Sequence, residues 1–256
     1  MRKFFVGLDQ IDDRYIRITD LGDIKHIVQV LRMHVGDEII VSDQHELEYV
    51  TRIESFGDEL EEKPANAGMT NGAILLRIMD KQSIHTELHT DITVYQGIPK
   101  GSKMDEVIQK SVELGAVRIV PVFMKRSIPD KINSSKQRRF QAIAEESAKQ
   151  SKRGVIPEVA EAMSMEAALA DAFSCDYELN LLCYEDEHKT TLRSVLQEGK
   201  ADSIAVWIGP EGGFSDAEVQ QLESSGCRSV SLGRSILRTQ TASTVALSMI
   251  AYEFEL

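Results

Sequence analysis

The sequence has few cysteines and no long apolar run. Its three cysteines, Cys175, Cys183 and Cys227, are neither even in number nor spaced as metal ligands, so we expect reduced thiols, no disulfide and no metal site. No apolar run approaches the roughly 20 residues that span a bilayer. Asp9 interrupts the N-terminus before the apolar part of a signal peptide can form. These absences predict a cytoplasmic protein.

The composition is otherwise that of an ordinary globular protein. Hydrophobic residues make up 42% of the chain and charged residues 27%, which excludes collagenous, low-complexity and mostly disordered proteins. At about 150 residues per domain, a chain of 256 residues holds one large or two modest domains.

Basic residues are scarce overall but concentrated in one part of the chain. The formal net charge is -12, which argues against a nucleic-acid partner because phosphate binding needs clustered cations. Residues 97–153, however, hold 13 basic and 6 acidic side chains, a net charge of +7, whereas 1–96 and 154–256 carry -8 and -11. This basic block indicates either an RNA-binding surface or a solvated helix face.

The first part of the chain is typical of short strands around a single helix. Its β-forming runs predict strands over 4–8, 15–18, 38–41, 47–53 and 73–79. Asp20 can cap a helix in which the apolar residues from Leu21 to Leu31 recur at helical spacing. The acidic stretch 57–72 indicates an exposed loop, and the polar stretch 80–90 a linker.

The second part alternates strands with helices, which predicts an α/β domain with a largely parallel sheet covered on both faces. Strands are expected over 92–96, 117–122, 179–184, 204–208 and 229–232. Helices are expected after the capping residue Ser102, over 135–151, after Ser215, and over 239–254. The last helix carries an apolar stripe that we expect to form core or dimer contacts: Ala242, Val245, Ala246, Met249 and Ile250.

Two loops follow neighbouring strands of this domain, where open α/β sheets bind ligands. The first, 208–214, is rich in glycine but lacks the dinucleotide, phosphate-loop and nucleophile-elbow patterns, so it indicates either a ligand site or a structural turn. The second, 231–242, leads into the last helix. Arg238 lies at the start of that helix, where a cation opposes the helix dipole, which favours a role in the site. The alternative for Arg238 is a salt bridge to Glu211 or another acidic neighbour.

Several segments, in this order along the chain, resemble one known family. They are 30–37, 96–105 with 109–115, 126–127, 145–157, 209–213 and 232–242. Together these segments resemble the bacterial 16S rRNA (uracil-N3)-methyltransferases of the RsmE family, in the SPOUT superfamily. The resemblance covers nearly the whole chain.

This resemblance implies a fold, a cofactor and an assembly. The fold is a small PUA-like RNA-binding β-barrel domain over 1–85, followed over 86–256 by a SPOUT methyltransferase domain with a C-terminal trefoil knot. The cofactor is S-adenosylmethionine, and the protein is a homodimer. The residues implied to bind the cofactor are Leu182, Tyr184, Ile208, Gly209, Pro210, Glu211, Gly212, Ser231, Leu232, Gly233, Ile236, Leu237, Thr241 and Ala242.

The implied reaction transfers a methyl group to N3 of a uridine in the 16S rRNA of the 30S ribosomal subunit. Loss of the N3 proton leaves negative charge on the flanking carbonyl oxygens, and a fixed guanidinium can stabilise that charge. We therefore expect Arg238 to be catalytic, and we assign no general base. The residues expected to contact RNA are Arg32, Lys100, Lys103, Arg126, Arg138, Arg139, Lys152, Arg153 and Arg234.

The chain departs from the family pattern at two positions. Gln240 stands where most relatives have glutamate, and Ser235 where they commonly have arginine. These departures give slight support to one alternative, a non-catalytic RNA-binding factor in ribosome assembly. A second alternative is a SPOUT methyltransferase acting on another RNA nucleotide.

Overall fold

A computed structural model describes residues 2–57, 72–128 and 131–255. The chain divides into two compact units. The first comprises Met1–Glu87 and Lys152–Val155, and the second comprises Leu88–Ser151 and Ile156–Leu256. The division after Glu87 lies close to the predicted boundary at residue 85. The prediction of a single boundary missed the segment Lys152–Val155, which lies in the middle of the chain and belongs to the first unit.

The first unit is built on a five-stranded sheet with the strand order β1-β3-β4-β5-β2. Its strands are β1 (Lys3–Phe5), β2 (Tyr15–Ile18), β3 (Glu38–Ser42), β4 (Leu47–Phe56) and β5 (Ile74–Ser83). The β1–β3 pair is parallel and the other pairs are antiparallel. The strand predicted over 4–8 is wrong beyond Phe5, because the chain turns into a short 3-10 helix at Leu8–Gln10.

The helix of the first unit is shorter than predicted. Helix α1 (Leu21–Lys25) begins after Asp20, whose carboxylate accepts a backbone N–H as expected. It passes directly into a π-helical turn at His26–Val30. Because this wider turn shifts the following side chains around the axis, Ile27 is fully buried while Val28 is exposed. Of the predicted apolar face, Ile24, Ile27 and Leu31 pack in the core cluster of this unit. The prediction is wrong for Leu21 and Val28, which are exposed.

The polar stretch predicted as a linker is in part a strand. Strand β5 extends to Ser83, which pairs with Leu47 of β4. The second half of β5 does not alternate apolar and polar residues, because its side chains are solvent-exposed on both faces of the strand. Backbone pairing alone forms this part of the strand, and it does not require apolar side chains. Of the predicted loop 57–72, residues 58–71 lie outside the described part of the chain.

The second unit contains the predicted parallel sheet. Its strands are β6 (Asp91–Gly97), β7 (Arg118–Phe123), β8 (Glu158–Val159), β9 (Met163–Ser164), β10 (Leu179–Cys183), β11 (Ser203–Ile208) and β12 (Arg228–Val230). The strand order is β12-β10-β11-β6-β7-β8, with β9 also paired to β7, and every pair is parallel. The α/β prediction is confirmed.

Helices cover both faces of this sheet. They are α2 (Lys103–Glu113), α3 (Ser134–Ser151), α4 (Met165–Cys175), α5 (Leu192–Leu196), α6 (Asp216–Ser224) and α7 (Thr239–Phe254). Strand β11 shows the two layers, because successive side chains point to opposite faces. Ile204 and Val206 pack in one core cluster with residues of α5 and α7. Ala205 and Trp207 pack in the other with residues of α4 and α6.

The helix signals of this unit are largely confirmed. Ser215 and Glu218 form the predicted capping box, in which Glu218 accepts the Ser215 backbone N–H at 2.8 Å. The buried face of α7 is offset from the predicted stripe and contains Ser243, Ala246, Leu247, Ile250 and Phe254. Within the described ranges, no helix combines the length and the apolar character needed to cross a bilayer.

Candidate functional site

The predicted ligand loops meet at the carboxyl edge of the second unit's sheet. Cys183 of β10 is in register with Ile208 of β11 and with Val230 of β12. The residues that follow these three strands therefore emerge side by side. Tyr184 donates its backbone N–H to the Val230 carbonyl at 3.1 Å, which extends the pairing beyond the strands. The parallel register thus places the predicted ligand loops, which are separate in the sequence, next to one another.

The glycine-rich loop after β11 forms a tight turn. Gly213 donates its N–H to the Pro210 carbonyl at 2.9 Å. Its φ angle is +68°, and a Cβ atom there would lie 1.8 Å from Oε1 of Glu185. The left-handed backbone favours glycine at this position, and a larger residue would also have to displace the Glu185 carboxylate. The turn therefore depends on a glycine at position 213.

Strand β6 packs against the same loop through Gly97. A Cβ atom on Gly97 would lie 2.6 Å from Cδ and N of Pro210 and 2.7 Å from Sδ of Met124. The end of β6 therefore approaches the loop at backbone distance.

Replacing Gly97 by alanine is expected to displace the Pro210 turn and to lower the free energy of unfolding of the second unit by about 1–3 kcal/mol. Urea unfolding measures this loss. Gly199→Ala is the matched control, because a Cβ atom at Gly199 meets no atom within 4 Å. Equal stability of the two variants would contradict the packing argument.

The loop after β12 is tied to the segment that follows β10. Ser231 donates its N–H to the Thr190 carbonyl at 2.8 Å, and its own carbonyl accepts the Leu192 N–H at 3.0 Å. Farther along, Gly233 has a φ angle of +147° and no neighbouring atom within 4 Å of its Cβ position. Ile236 is 84% exposed. This loop therefore has an anchored beginning and an open, apolar tip.

Arg238 lies where this loop enters α7. Its backbone carbonyl accepts the N–H groups of Thr241 and Ala242, both at 2.8 Å, so the residue forms the N-cap of the helix. Its side chain is exposed and has no hydrogen-bond or ion-pair partner in 2–57, 72–128 or 131–255. The guanidinium is thus available to a ligand.

The alternative salt bridge from Arg238 to Glu211 is not formed. Glu211 instead accepts hydrogen bonds from Nζ of Lys103 at 2.7 Å and from the backbone N–H of Lys100 at 3.1 Å. Burial raises the pKa of Glu211, but these hydrogen bonds outweigh burial and hold that pKa below its usual value. Glu211 therefore stays ionised and links its loop to the segment before α2.

Comparisons with known proteins identify the family. Residues 86–251 match the family model of the RNA methyltransferase domain, and residues 18–59 match that of the RNA methyltransferase PUA domain. The ribosomal RNA small subunit methyltransferase E of Bacillus subtilis is 31% identical over 100% of this chain and 98% of its own length. This chain belongs to the ribosomal RNA small subunit methyltransferase E family.

Solved structures of similar proteins agree with this assignment. A small-subunit methyltransferase E from Neisseria gonorrhoeae, bound to S-adenosyl methionine, has a TM-score of 0.77 and 25% identity, covering 98% of this chain and 97% of its own. A putative methyltransferase from Legionella pneumophila, in complex with the cofactor SAM, has a TM-score of 0.79 and 26% identity, covering 98% and 96%. The family's fold therefore extends over both units.

Several cations expected to contact RNA are engaged within the chain. Lys103 pairs with Glu211 at 2.7 Å, and Arg139 pairs with Asp105. Arg126 remains exposed but donates from Nη1 to the Gly212 carbonyl at 2.7 Å. These contacts leave part of each side chain in solvent while fixing its position. Among the described residues, the predicted side chains that are exposed without such a contact are Arg32, Lys100, Arg138, Lys152 and Arg234.

Arg153 is a correction to the expected RNA contacts. Its side chain is only 4% exposed, and Nε donates to Oε2 of Glu87 at 2.9 Å within the first unit. A guanidinium enclosed with its own carboxylate cannot reach an RNA phosphate without breaking that pair. Arg153 is therefore a structural residue of the first unit.

Two polar residues at the sheet edge were missed by sequence reasoning. Gln96 is fully buried near the end of β6, and Thr239 is buried at the first position of α7. The available signal was an amide that follows the apolar residues Val94 and Tyr95 near the end of β6. Such an amide needs hydrogen-bond partners if it is buried.

Proposed function

We propose that this protein transfers a methyl group from S-adenosylmethionine to N3 of a uridine in the 16S rRNA of the small ribosomal subunit. The observation that carries the proposal is family membership over the full length of the chain. Related structures that contain the bound cofactor support the choice of methyl donor. The exposed guanidinium of Arg238 at the sheet edge supports catalysis.

The loops at the sheet edge fit S-adenosylmethionine. This cofactor has no phosphate groups, and the segment 208–213 has no lysine or arginine that would hold one. Gly233 leaves open space, and Ile236 presents an exposed apolar side chain suited to a flat heterocycle. We propose that the segments after β10, β11 and β12 hold the cofactor. When bound, it supplies the methyl group.

The chain's own contribution is to bind the uracil and stabilise charge. Loss of the N3 proton spreads negative charge over the two neighbouring carbonyl oxygens. The Arg238 guanidinium is always protonated and can donate two hydrogen bonds to a planar acceptor. Such preorganised donors stabilise developing charge more effectively than water does. We therefore propose Arg238 as the catalytic residue.

Methylation assays with base mapping test this function. Small-subunit RNA from a strain that lacks the enzyme is incubated with the protein and labelled cofactor, and the modified base is located by mass spectrometry. We expect one N3-methyluridine in 16S rRNA. A methyl label on another nucleotide would show that the assigned substrate is wrong. In calorimetry, binding of RNA without binding of the cofactor would favour the assembly-factor alternative.

The basic block predicts salt-dependent RNA binding. If about four phosphates are contacted, counterion release lowers the affinity roughly 100-fold between 50 and 200 mM salt. Arg138→Glu is expected to weaken binding and reduce this salt dependence, whereas Arg193→Glu, at an exposed position on α5, is the control. Filter-binding titrations at several salt concentrations measure both effects. A flat salt response would contradict the proposed RNA surface.

We also propose the homodimer, the trefoil knot and the cytoplasmic location implied by the family resemblance. Tyr252 is 71% exposed on α7, which supports a dimer contact at that helix. The hydrogen bonds of Ser231 to the segment after β10 support a threaded C-terminal path. Light scattering of the purified protein tests the dimer.

A further inference from the structure

The carboxamide of Gln96 joins the end of β6 to α7. Gln96 has no exposed surface, and its Nε2 donates to the Gly97 carbonyl and to Oγ1 of Thr239, both at 2.8 Å. The two acceptors fix the orientation of the amide, because the reversed orientation would bring two oxygen atoms together at Gly97. Both N–H groups of the amide are thus used.

The hydroxyl of Thr239 continues this chain of hydrogen bonds. Having accepted from Gln96, Oγ1 donates its own proton to the Gly209 carbonyl at 2.6 Å. Gln96 Nε2 also lies 3.5 Å from that carbonyl. The path from amide to hydroxyl to carbonyl therefore connects three segments: the end of β6, the glycine-rich loop after β11 and the first residue of α7.

The proposed reaction requires these connected segments to keep a fixed position relative to one another. Gly209 begins the loop proposed to hold the cofactor, and Thr239 directly follows Arg238. A displacement of about 1 Å between a catalytic group and its substrate can lower the rate by about 100-fold. We infer that Gln96 and Thr239 are positioning residues, which hold Arg238 and the Gly209 loop in a fixed relation for methyl transfer. This inference rests on the proposed function.

The carbonyl oxygen of the Gln96 side chain guides the choice of a substitution. Oε1 of Gln96 is buried and has no hydrogen-bond partner among the described residues. A buried, unpaired acceptor is unfavourable for folding. Replacing Gln96 by the similarly shaped methionine removes this unpaired oxygen together with the two donors, so the fold is expected to tolerate the change.

The experiment compares four variants at saturating RNA and cofactor. Gln96→Met and Thr239→Val each break the hydrogen-bond chain and are expected to lower kcat about tenfold, with a melting temperature within a few degrees of wild type. Thr239→Ser keeps the hydroxyl and is expected to restore most of the rate. Thr90→Val is the matched control, because Thr90 is also buried and its hydroxyl donates to the Ala201 carbonyl at 3.1 Å, at the other end of β6.

A double variant adds a second readout. Because Gln96 and Thr239 act in one chain, the Gln96→Met/Thr239→Val protein is expected to be no slower than about the slower single variant. Wild-type rates in folded Gln96→Met and Thr239→Val proteins would overturn the inference, as would equal losses in Thr239→Val and Thr239→Ser. Failure of the proposed function is distinguishable, because the wild-type protein itself would then transfer no methyl group.

Discussion

Arg238→Ala is expected to lower kcat for methyl transfer by about 100- to 1000-fold, the range found when a donor to a developing oxyanion is removed. Arg238→Lys is expected to recover little of this loss. Lysine keeps the charge but presents a single ammonium group in place of the planar pair of donors. Single-turnover assays with labelled cofactor measure the chemical step directly.

The fold is expected to be unaffected by these replacements. The Arg238 side chain is exposed and has no hydrogen-bond or ion-pair partner within 2–57, 72–128 and 131–255. A cation at a helix N-terminus also opposes the helix dipole, which costs about 0.3–1 kcal/mol. Removing it should therefore leave stability unchanged or raise it slightly. Loss of rate together with loss of stability would indicate that Arg238 is structural.

Arg193→Ala is the control for this prediction. Arg193 is an exposed arginine on α5, and no role in the site is proposed for it. Its replacement is expected to leave the methyl-transfer rate unchanged. If Arg238→Ala and Arg193→Ala had the same rate, Arg238 would be removed from the catalytic assignment.

Arg153→Ala is expected to destabilise the first unit by about 3–5 kcal/mol, because it leaves the partly enclosed Glu87 carboxylate without its cation. That loss is large against a typical total stability of about 5–15 kcal/mol. Urea unfolding followed by a probe in the first unit measures it. An RNA-contacting arginine would show the reverse pattern, with unchanged stability and weaker RNA binding.

The surroundings of Arg153 explain the size of this effect. Lys152–Val155 belongs to the first unit, where Nζ of Lys3 donates to the Lys152 carbonyl at 2.6 Å. Gly154 donates its backbone N–H to Oε1 of Glu87 at 2.8 Å. Arg52→Ala is the control, because Arg52 forms an exposed pair with Glu38, and such pairs contribute about 0–1 kcal/mol.

The Glu87 carboxyl also predicts an acid dependence. Burial raises its pKa, but the hydrogen bond and charge of Arg153, with the Gly154 N–H, outweigh burial and lower that pKa below the ordinary 4.5. A lowered pKa stabilises the folded state above pH 4.5, and this contribution is lost as the pH falls through the folded-state pKa. Glu87→Gln is expected to abolish that part of the acid dependence. An unchanged pH profile would contradict it.

The bounds of some secondary-structure elements could be predicted from the sequence, whereas other elements were missed. The sequence predicted α7 with the bounds that the structure shows, and it predicted β2 with equal accuracy. It missed β8 and β9, because two residues are too few to show periodicity. It also missed α4, although Ser164 caps this helix as a start signal would require.

The site could be predicted only in part. Glycine-rich segments and an arginine at a helix start are local features, so they were visible in the sequence. The chain from Gln96 through Thr239 to Gly209 joins residues that are far apart in sequence, and no local pattern predicts such hydrogen bonds. The same limit explains the wrong prediction for Arg153. Its place in the basic block suggested an RNA contact, whereas its ion pair with Glu87 makes it a structural residue.

The sequence by itself determined the α/β class, the concentration of positive charge in 97–153 and the family motifs, because composition, periodicity and turn residues are local properties. Only the tertiary structure decided which cations are free and which are engaged. Burial and pairing depend on residues brought together from distant parts of the chain, such as Arg153 with Glu87 and Lys103 with Glu211. Glu211, the partner suggested by name for Arg238, pairs with Lys103 instead, and the Arg238 side chain is exposed.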